Sequence, residues 1–310
     1  MCRPSCSFIL PSCVTSVVIL HDPRLALTCV MEMTFGCHFP DILDKYAGVV
    51  LITGDETMQN IVASNEAKAR PVQLVLSQAT TAAELREVQR LRYKVFIETM
   101  GLTSLANADG LDSDEFDAHC DHLIVRDADT LKVVGTYRVL SAAKAAKIGR
   151  LYAENEFDLS RLKNLRGRMV EAGRACIHPK YRGGSVIMLL WSGLAEYMRR
   201  ERCDYLVGCA SISLADGGHN AVAVYQALAE KHMAPSEYRV TPHLPFPIHQ
   251  VEAAHKPQVP PLIKGYLRSG AWICGEPAWD PDFESADMFM MMPLANLDER
   301  YARHYGVVPG

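Results

Sequence analysis

This 310-residue chain lacks several common signatures. No apolar run reaches the roughly 18 residues that a membrane-crossing helix needs. Positive charge is not in excess: 32 Lys and Arg face 36 Asp and Glu, a formal net charge of −4, so nucleic acid is not the expected partner. The ten cysteines contain no Cys-x-x-Cys pair, which removes the usual zinc and dithiol patterns. Internal repeats and low-complexity tracts are also missing. With 49% hydrophobic residues, the chain reads as a globular protein with a sizeable core.

Cysteine is unevenly spread. Cys2, Cys6, Cys13, Cys29 and Cys37 crowd the start, and the rest are scattered from Cys120 to Cys274. The body reads as reduced and cytoplasmic. Residues 1–70 read as an extension. Phe8 to Leu20 imitates a signal-peptide core, but Pro11 interrupts it and no small-x-small cleavage site follows. Met31, Met33 and Met58 are alternative starts. The expected catalytic body is a single domain over 71–310.

Periodicity places the elements of that body. Val72 to Leu76 is a short β-rich run. Thr81 caps a helical pattern through Leu85, Val88, Leu91 and Val95, which Gly101 ends. Residues 103–121 form an acidic loop with Asp112, Asp114, Glu115, Asp117 and Asp121. Strands follow at His122 to Arg126, Lys132 to Leu140 and Met169 to Ile177, then a long helix over Gly184 to Arg202. Tyr205 to Ala210 is a strand, His219 to Lys231 a helix, and further strands lie near Ala271–Cys274 and Asp287–Met292. This order predicts an α/β (α+β) fold with a mixed sheet and helices on both faces.

The strand–loop–helix at "CIHPKYRGGSVIMLLW", Cys176 to Trp191, offers backbone N–H groups to a phosphate. Arg182, Gly183, Gly184, Ser185, Val186 and Ile187 resemble the Arg/Gln-x-x-Gly-x-Gly/Ala pyrophosphate motif of the GCN5-related N-acetyltransferases. Ser185 and Ile187 depart from its small residues. A second series, Arg92-x-x-x-Phe96, Asp114-x-x-Asp117, Arg138 and Glu171-x-x-Arg174, resembles the acyl-homoserine-lactone synthases. Their tryptophan after the first helix is matched only by Leu102 or its neighbours. The segments Glu171 to Arg182, Leu190 to Tyr197, Gly208 to Ser211 and Pro260 to Trp279 are similar to bacterial L-ornithine N-alpha-acyltransferases.

That resemblance implies an N-acyltransferase fold whose fourth strand is bulged. It also implies a reaction: a 3-hydroxyacyl chain passes from acyl carrier protein to the α-amine of L-ornithine, giving lyso-ornithine lipid. No cofactor is implied beyond the phosphopantetheine arm of the carrier. Glu171 and Arg174 are the expected catalytic pair, with Glu171 accepting the amine proton. Residues three apart on a regular strand face opposite sides, so the pair needs a bulge, expected at Ala172–Gly173. A plain ion pair between them is the competing reading. Arg92, Phe96, Asp114, Asp117 and Arg138 are the expected substrate-binding set. The arginines either clamp the substrate carboxylate or pin the acidic loop. The aspartates are also candidates to meet the ornithine side chain.

Ile177, Arg182, Gly183, Gly184 and Ser185 are the expected donor-binding residues. Lys180, Arg182, Arg199, Arg200 and Arg202, with Arg161, Lys163, Arg166 and Arg168, would offer acyl carrier protein a basic surface. Metal is not expected, because His119, Cys120, Asp121 and His122 lack supporting ligands. Cys176 and Cys209 read as core residues and Tyr225 as a packed tyrosine. Peripheral contact with the inner membrane is expected from a lipid product. Alternatives are an N-acyl amino acid synthase for another amino acid, a lactone-type signal synthase, or a non-catalytic carrier-binding protein.

Overall fold

The structure, a computed structural model, describes residues 72–296 together with two short strands, β1 (Val18–Ile19) and β2 (Val49–Leu51). The reading of 1–70 as an extension therefore lies almost wholly outside the described residues.

Five helices and ten further strands follow. They are β3 (Leu74–Gln78), α1 (Ala82–Tyr93), β4 (Asp121–Asp127), β5 (Val133–Leu140), α2 (Ala142–Ile148), β6 (Phe157–Asp158), β7 (Met169–Ile177) and α3 (Ser185–Glu201). Then come β8 (Tyr205–Ser213), α4 (His219–His232), β9 (Thr241–Pro242), α5 (Pro261–Arg268), β10 (Trp272–Ile273), β11 (Ala278–Asp280) and β12 (Ser285–Pro293). The main sheet runs β1-β2-β3-β4-β5-β7-β8-β12-β10, with β11 pairing on β12, and β6 pairs with β9 apart from it. It is mixed: β7 and β8 are parallel, whereas β3-β4, β4-β5, β5-β7 and β8-β12 are antiparallel.

Local chemistry explains the long elements. Thr81 and Glu84 form a capping box at the start of α1, each side chain bonding the other's backbone N–H. The last turn of α1 runs on as a π-helical segment, Lys94–Thr99, before Gly101 at φ +86° stops it. In α3, the apolar stripe Val186, Leu189, Leu190, Leu194, Tyr197 and Met198 is buried against the sheet, as its period requires. The apolar side of α1 covers the opposite face through Val88, Leu91 and Val95. All of β5 is buried because helices cover it on both sides.

Five elements after residue 71 went unread in the sequence, α2 and β9 among them, each inside a stretch read as a connection. Helix α5 hides among the prolines after 256. Strands β6 and β11 are too short to show a period of two.

β7 carries the feature on which the site depends. It pairs with β5 in one register up to Gly173↔Arg138 and in another from Cys176↔Thr136. Two residues of β7, Arg174 and Ala175, thus oppose Tyr137 alone. The bulge is therefore at Arg174–Ala175 rather than at Ala172–Gly173. Arg174, not the neighbouring glycine, takes the left-handed conformation, at φ +49°. This costs about 1 kcal/mol that a glycine would not.

The bulge reverses the alternation of faces. Val170 and Ala172 face α3 before it, and Ala175 and Ile177 face α3 after it. Met169 and Cys176 lie on the other face, which places Glu171 and Arg174 together there.

On its other side, β7 pairs with β8 only from Met169↔Tyr205 to Glu171↔Val207. Beyond Glu171 the strands part in a wedge. At its apex a Cβ on Gly208 would stand 2.2 Å from the Ala172 carbonyl oxygen, so only glycine fits.

Candidate active site

Glu171 is the last residue of β7 paired with β8 and is buried at the mouth of the wedge. Its carboxylate accepts backbone N–H groups of Tyr152 (2.6 Å) and Ala153 (2.7 Å). These donors come from the 3-10 turn Tyr152–Asn155, in the connection between α2 and β7. Burial still raises its pKa, against the pull of those two bonds. A raised pKa makes the carboxylate a stronger proton acceptor than an exposed glutamate.

Arg174 makes its bonds elsewhere, to Asp114 (3.2 Å) and toward Asp112 (3.7 Å). Its guanidinium lies 5.3 Å from the Tyr152 ring centre and 4.2 Å from that of Phe283. The two residues share a face and a neighbour, Tyr152, and each carries its own set of bonds.

Behind them lies a buried charge network. Arg92, with no exposed surface, donates Nε to Asp112 (2.6 Å) and Nη1 and Nη2 to the two oxygens of Asp117 (2.8 and 2.7 Å). Gln89 adds a bond to Asp117 at 2.9 Å. Arg138 reaches Asp114 at 2.6 Å and Asp117 at 3.0 Å, and stacks over Tyr152. Three arginines thus meet three aspartates from the acidic loop. Burial works against ionisation of Asp117, but the Arg92 bonds and charge outweigh it and hold the carboxyl well below its ordinary range. The donors of Arg92 are directed inward, pinning the acidic loop to α1. Phe96, on the π-helical turn, packs edge-on against Phe283 at 6.1 Å.

The carboxylates that pattern reading missed lie across the same face. Glu156, Asp287 and the thiol of Cys209 bring their ligating atoms within 4.8 Å of one another. Asp287 is buried and accepts the Ser285 hydroxyl (2.6 Å) and the Ser211 hydroxyl (3.0 Å). One oxygen of Glu156 is buried with no hydrogen-bond partner. Burial pushes both carboxyls up, helped by the charge of Asp287 at Glu156 and by that of Asp280 at Asp287, and burial raises the Cys209 thiol well above its ordinary value. No sequence motif joins 156, 209 and 287. Only the β8–β12 register, Asp287↔Ser211 and Phe289↔Cys209, brings the last two together.

The loop after β7 is held from two sides. The Tyr181 hydroxyl donates to Asp127 at 2.6 Å, and Arg182 Nε donates to the Ile177 carbonyl at 3.3 Å. Gly184, at φ +105°, precedes α3, and no side chain caps the first turn that begins at Ser185. Gly183, just before it, is exposed and has open space where a Cβ would stand. Partial burial lowers the pKa of His178, and the charges of Lys94, Lys180, Arg182 and Lys132 lower it further.

The other expected basic residues do not gather there. Arg199 pairs with Glu196, and Arg200 with Glu201, at the far end of α3. Arg168 pairs with Asp204, and Arg166 with Glu154. Tyr225 packs in the core between α4 and the sheet.

Residues 91–192, which hold the bulged strand and the loop after it, match the family model described as "Acetyltransferase (GNAT) domain". The L-ornithine N(alpha)-acyltransferase of Rhodobacter capsulatus is 35% identical over 254 residues, covering 76% of this chain and 96% of that protein. The protein of the same name from Brucella abortus is 33% identical over 280 residues, covering 82% and 98%. Solved structures resembling the chain include the acyl-homoserine-lactone synthase LasI, at TM-score 0.46 and 14% identity, covering 77% of this chain and 98% of that one. FeeM, an N-acyl amino acid synthase from uncultured soil microbes, matches at TM-score 0.43 and 12% identity, covering 72% and 92%.

The class is thus an N-acyltransferase built on a GNAT domain. Within that class, the chain belongs to the L-ornithine N(alpha)-acyltransferase family.

Arg92→Ala should cost about 3–5 kcal/mol of unfolding free energy in urea titrations, because it strips the buried Asp112 of its closest cation and leaves Asp117 with Arg138 alone. Arg92→Lys should recover little of this, since an ammonium cannot fork to two carboxylates.

Proposed function

We propose that the protein transfers a fatty acyl chain from the phosphopantetheine thioester of acyl carrier protein to the α-amine of L-ornithine. The product is lyso-ornithine lipid, the first intermediate of ornithine lipids. Beside membership of the family, the observation that carries this reading is the position of Glu171. A buried carboxyl of raised basicity stands where β7 and β8 part, on the face that Arg174 shares.

The chemistry follows from that placement. The amine nitrogen attacks the thioester carbonyl carbon, forming the amide C–N bond. The amine proton passes to Glu171, directly or through one water. The C–S bond breaks, and the pantetheine thiolate leaves and takes up a proton. Beyond Glu171 the side of β7 turned to β8 has no strand partner, so its backbone groups are free to meet the pantetheine arm. The uncapped first turn of α3, with Arg182 beside it, suits the single phosphate of that arm. No resident cofactor is needed, since every proton and bond is accounted for by donor, acceptor and carboxylate.

Ornithine also carries a side-chain ammonium. Asp114 and Asp117 are already matched by arginines. Glu156 and Asp287 have no ion-pair partner among the described residues, lie on the Glu171 face, and supply the complementary charge. The basic group Lys94, Lys132, Lys180 and Arg182, at the donor end, suits an acidic carrier protein. Among the described residues no helix is long and apolar enough to cross a membrane. Delivery of the product to a bilayer would therefore proceed by peripheral contact.

Glu171→Gln should lower kcat by at least about a hundredfold at saturating ornithine, the scale of a lost general base. Near wild-type turnover would overturn the assignment. Glu156 and Asp287 hold their protons above the ordinary carboxylate range, so they ionise as pH rises. Ornithine KM should accordingly fall with rising pH until the side-chain ammonium itself deprotonates. Norvaline, which lacks that amine, should show no such fall, and Glu156→Gln should flatten the ornithine profile. For the donor, Lys180→Glu with Arg182→Glu should raise KM for acyl carrier protein about tenfold and leave ornithine KM unchanged. Wild-type turnover should drop steeply with added salt.

A further inference from the structure

An α-amino acid brings a carboxylate as well as an amine, and a carboxylate that enters a buried site needs a cation. Three arginines stand at this site, and two are committed to the protein itself. Arg92, with no exposed side-chain surface, makes four hydrogen bonds to Asp112 and Asp117. Arg138, 4% exposed, gives Nη1 to both oxygens of Asp114 and to one of Asp117, and packs against the Phe116 and Tyr152 rings.

Arg174 differs from both. Its side chain keeps 12% of its surface exposed. A guanidinium carries five donor hydrogens. Here one hydrogen bond is made, from Nη2 to Asp114 at 3.2 Å. Nε stands 3.7 Å from Asp112, beyond hydrogen-bonding reach, and is buried without a partner. Donors in such surroundings are ordinarily matched. Because Nε and Nη2 are turned to the aspartates, the outer edge, Nη1 with the second hydrogen of Nη2, is left for a ligand. The plane of the group is fixed as well. The Phe283 ring centre lies 4.2 Å from the guanidinium carbon and that of Tyr152 5.3 Å. Rings on its flat faces leave the edges as the directions of approach, and an edge suits the fork of a carboxylate.

The backbone gives an independent sign. Arg174 takes φ +49° although Gly173 precedes it and would do so without strain. A non-glycine residue held in that region marks a functional constraint. Spacing completes the argument. The bulge makes Glu171 and Arg174 successive positions on one face, which on a strand lie about 7 Å apart. Tyr152 serves both, with its N–H on Glu171 and its ring on Arg174. An amine at Glu171 and a carboxylate at Arg174 can therefore belong to one α-carbon.

We infer that Arg174 clamps the α-carboxylate of the amino acid acceptor, so that only amines beside a free carboxylate are acylated. Peptide N-termini and simple diamines are thereby excluded as acceptors. The assignment rests on the transfer to ornithine proposed above and names the group that holds the acceptor's other end.

The test compares L-ornithine with L-ornithinamide, whose carboxamide has nearly the same shape and no charge. Binding of each to the full chain is measured by calorimetry. The wild type should bind ornithine at least about tenfold more tightly, the scale of one charge-assisted pair. Arg174→Gln should bring the two affinities within about twofold by weakening ornithine alone. Arg174→Gly, which suits the left-handed backbone, should do the same. A purely structural arginine predicts the opposite pattern, a loss of stability with the tenfold ratio kept. Equal affinities in the wild type, no measurable binding of ornithine, or an unchanged ratio in both variants would overturn the inference. The wild-type comparison decides even if a variant folds poorly. Amide formation is followed separately with both acceptors and an acyl carrier protein donor. A binding preference without amide product would sink the proposed reaction and leave this assignment standing. Amide product from both acceptors at equal KM would do the reverse.

Discussion

Everything in the site follows from how β7 is paired. On one side it pairs with β5 from Glu171 to Ile177; on the other it stays with β8 only from Met169 to Glu171. A strand released on one edge has backbone groups to spare, and the bulge at Arg174–Ala175 turns the side chains beyond it over to the opposite face. Glu171 ends the paired part and Arg174 begins the displaced part. The bulge puts both on one face, and the wedge opens the sheet beside them. Arg174 holds this geometry in a left-handed conformation that its contacts with Asp114, Tyr152 and Phe283 stabilise.

Charge is sorted across that face. On the α1 side, arginines and aspartates neutralise one another in a buried network that ties the acidic loop to helix and sheet. On the β12 side, Glu156 and Asp287 have no ion-pair partner among the described residues. A cationic substrate would therefore find one part of the site already balanced and another part in need of it. The donor side shows the same economy in reverse. Basic residues cluster around His178, at the end of the wedge opposite the acids. The arginines farther along α3 are matched by glutamates on their own helix.

Much of this was legible in the sequence. Residues with a strong period were found nearly to the residue: β7 over 169–177, the buried stripe of α3, and the capped start of α1. The requirement for a bulge was legible too, because Glu171 and Arg174 could share a face in no other way. Its position was not. Gly173 drew attention as the flexible residue, but the register with β5 set the kink one residue later, and no local preference of Arg174 signals that. The acidic loop was recognised as a partner for arginine. Which carboxylates remained free was hidden, because 156, 209 and 287 are distant in sequence and follow no pattern.

The sequence by itself determined the elements, the family, and the residue types that meet at the centre, because hydrophobic period and motif spacing are local properties of the chain. The tertiary structure decided which charges cancel, where β7 breaks register, and which arginine keeps donors to spare. Those outcomes depend on strand pairing and helix packing between distant segments, whose geometry no single stretch of sequence contains.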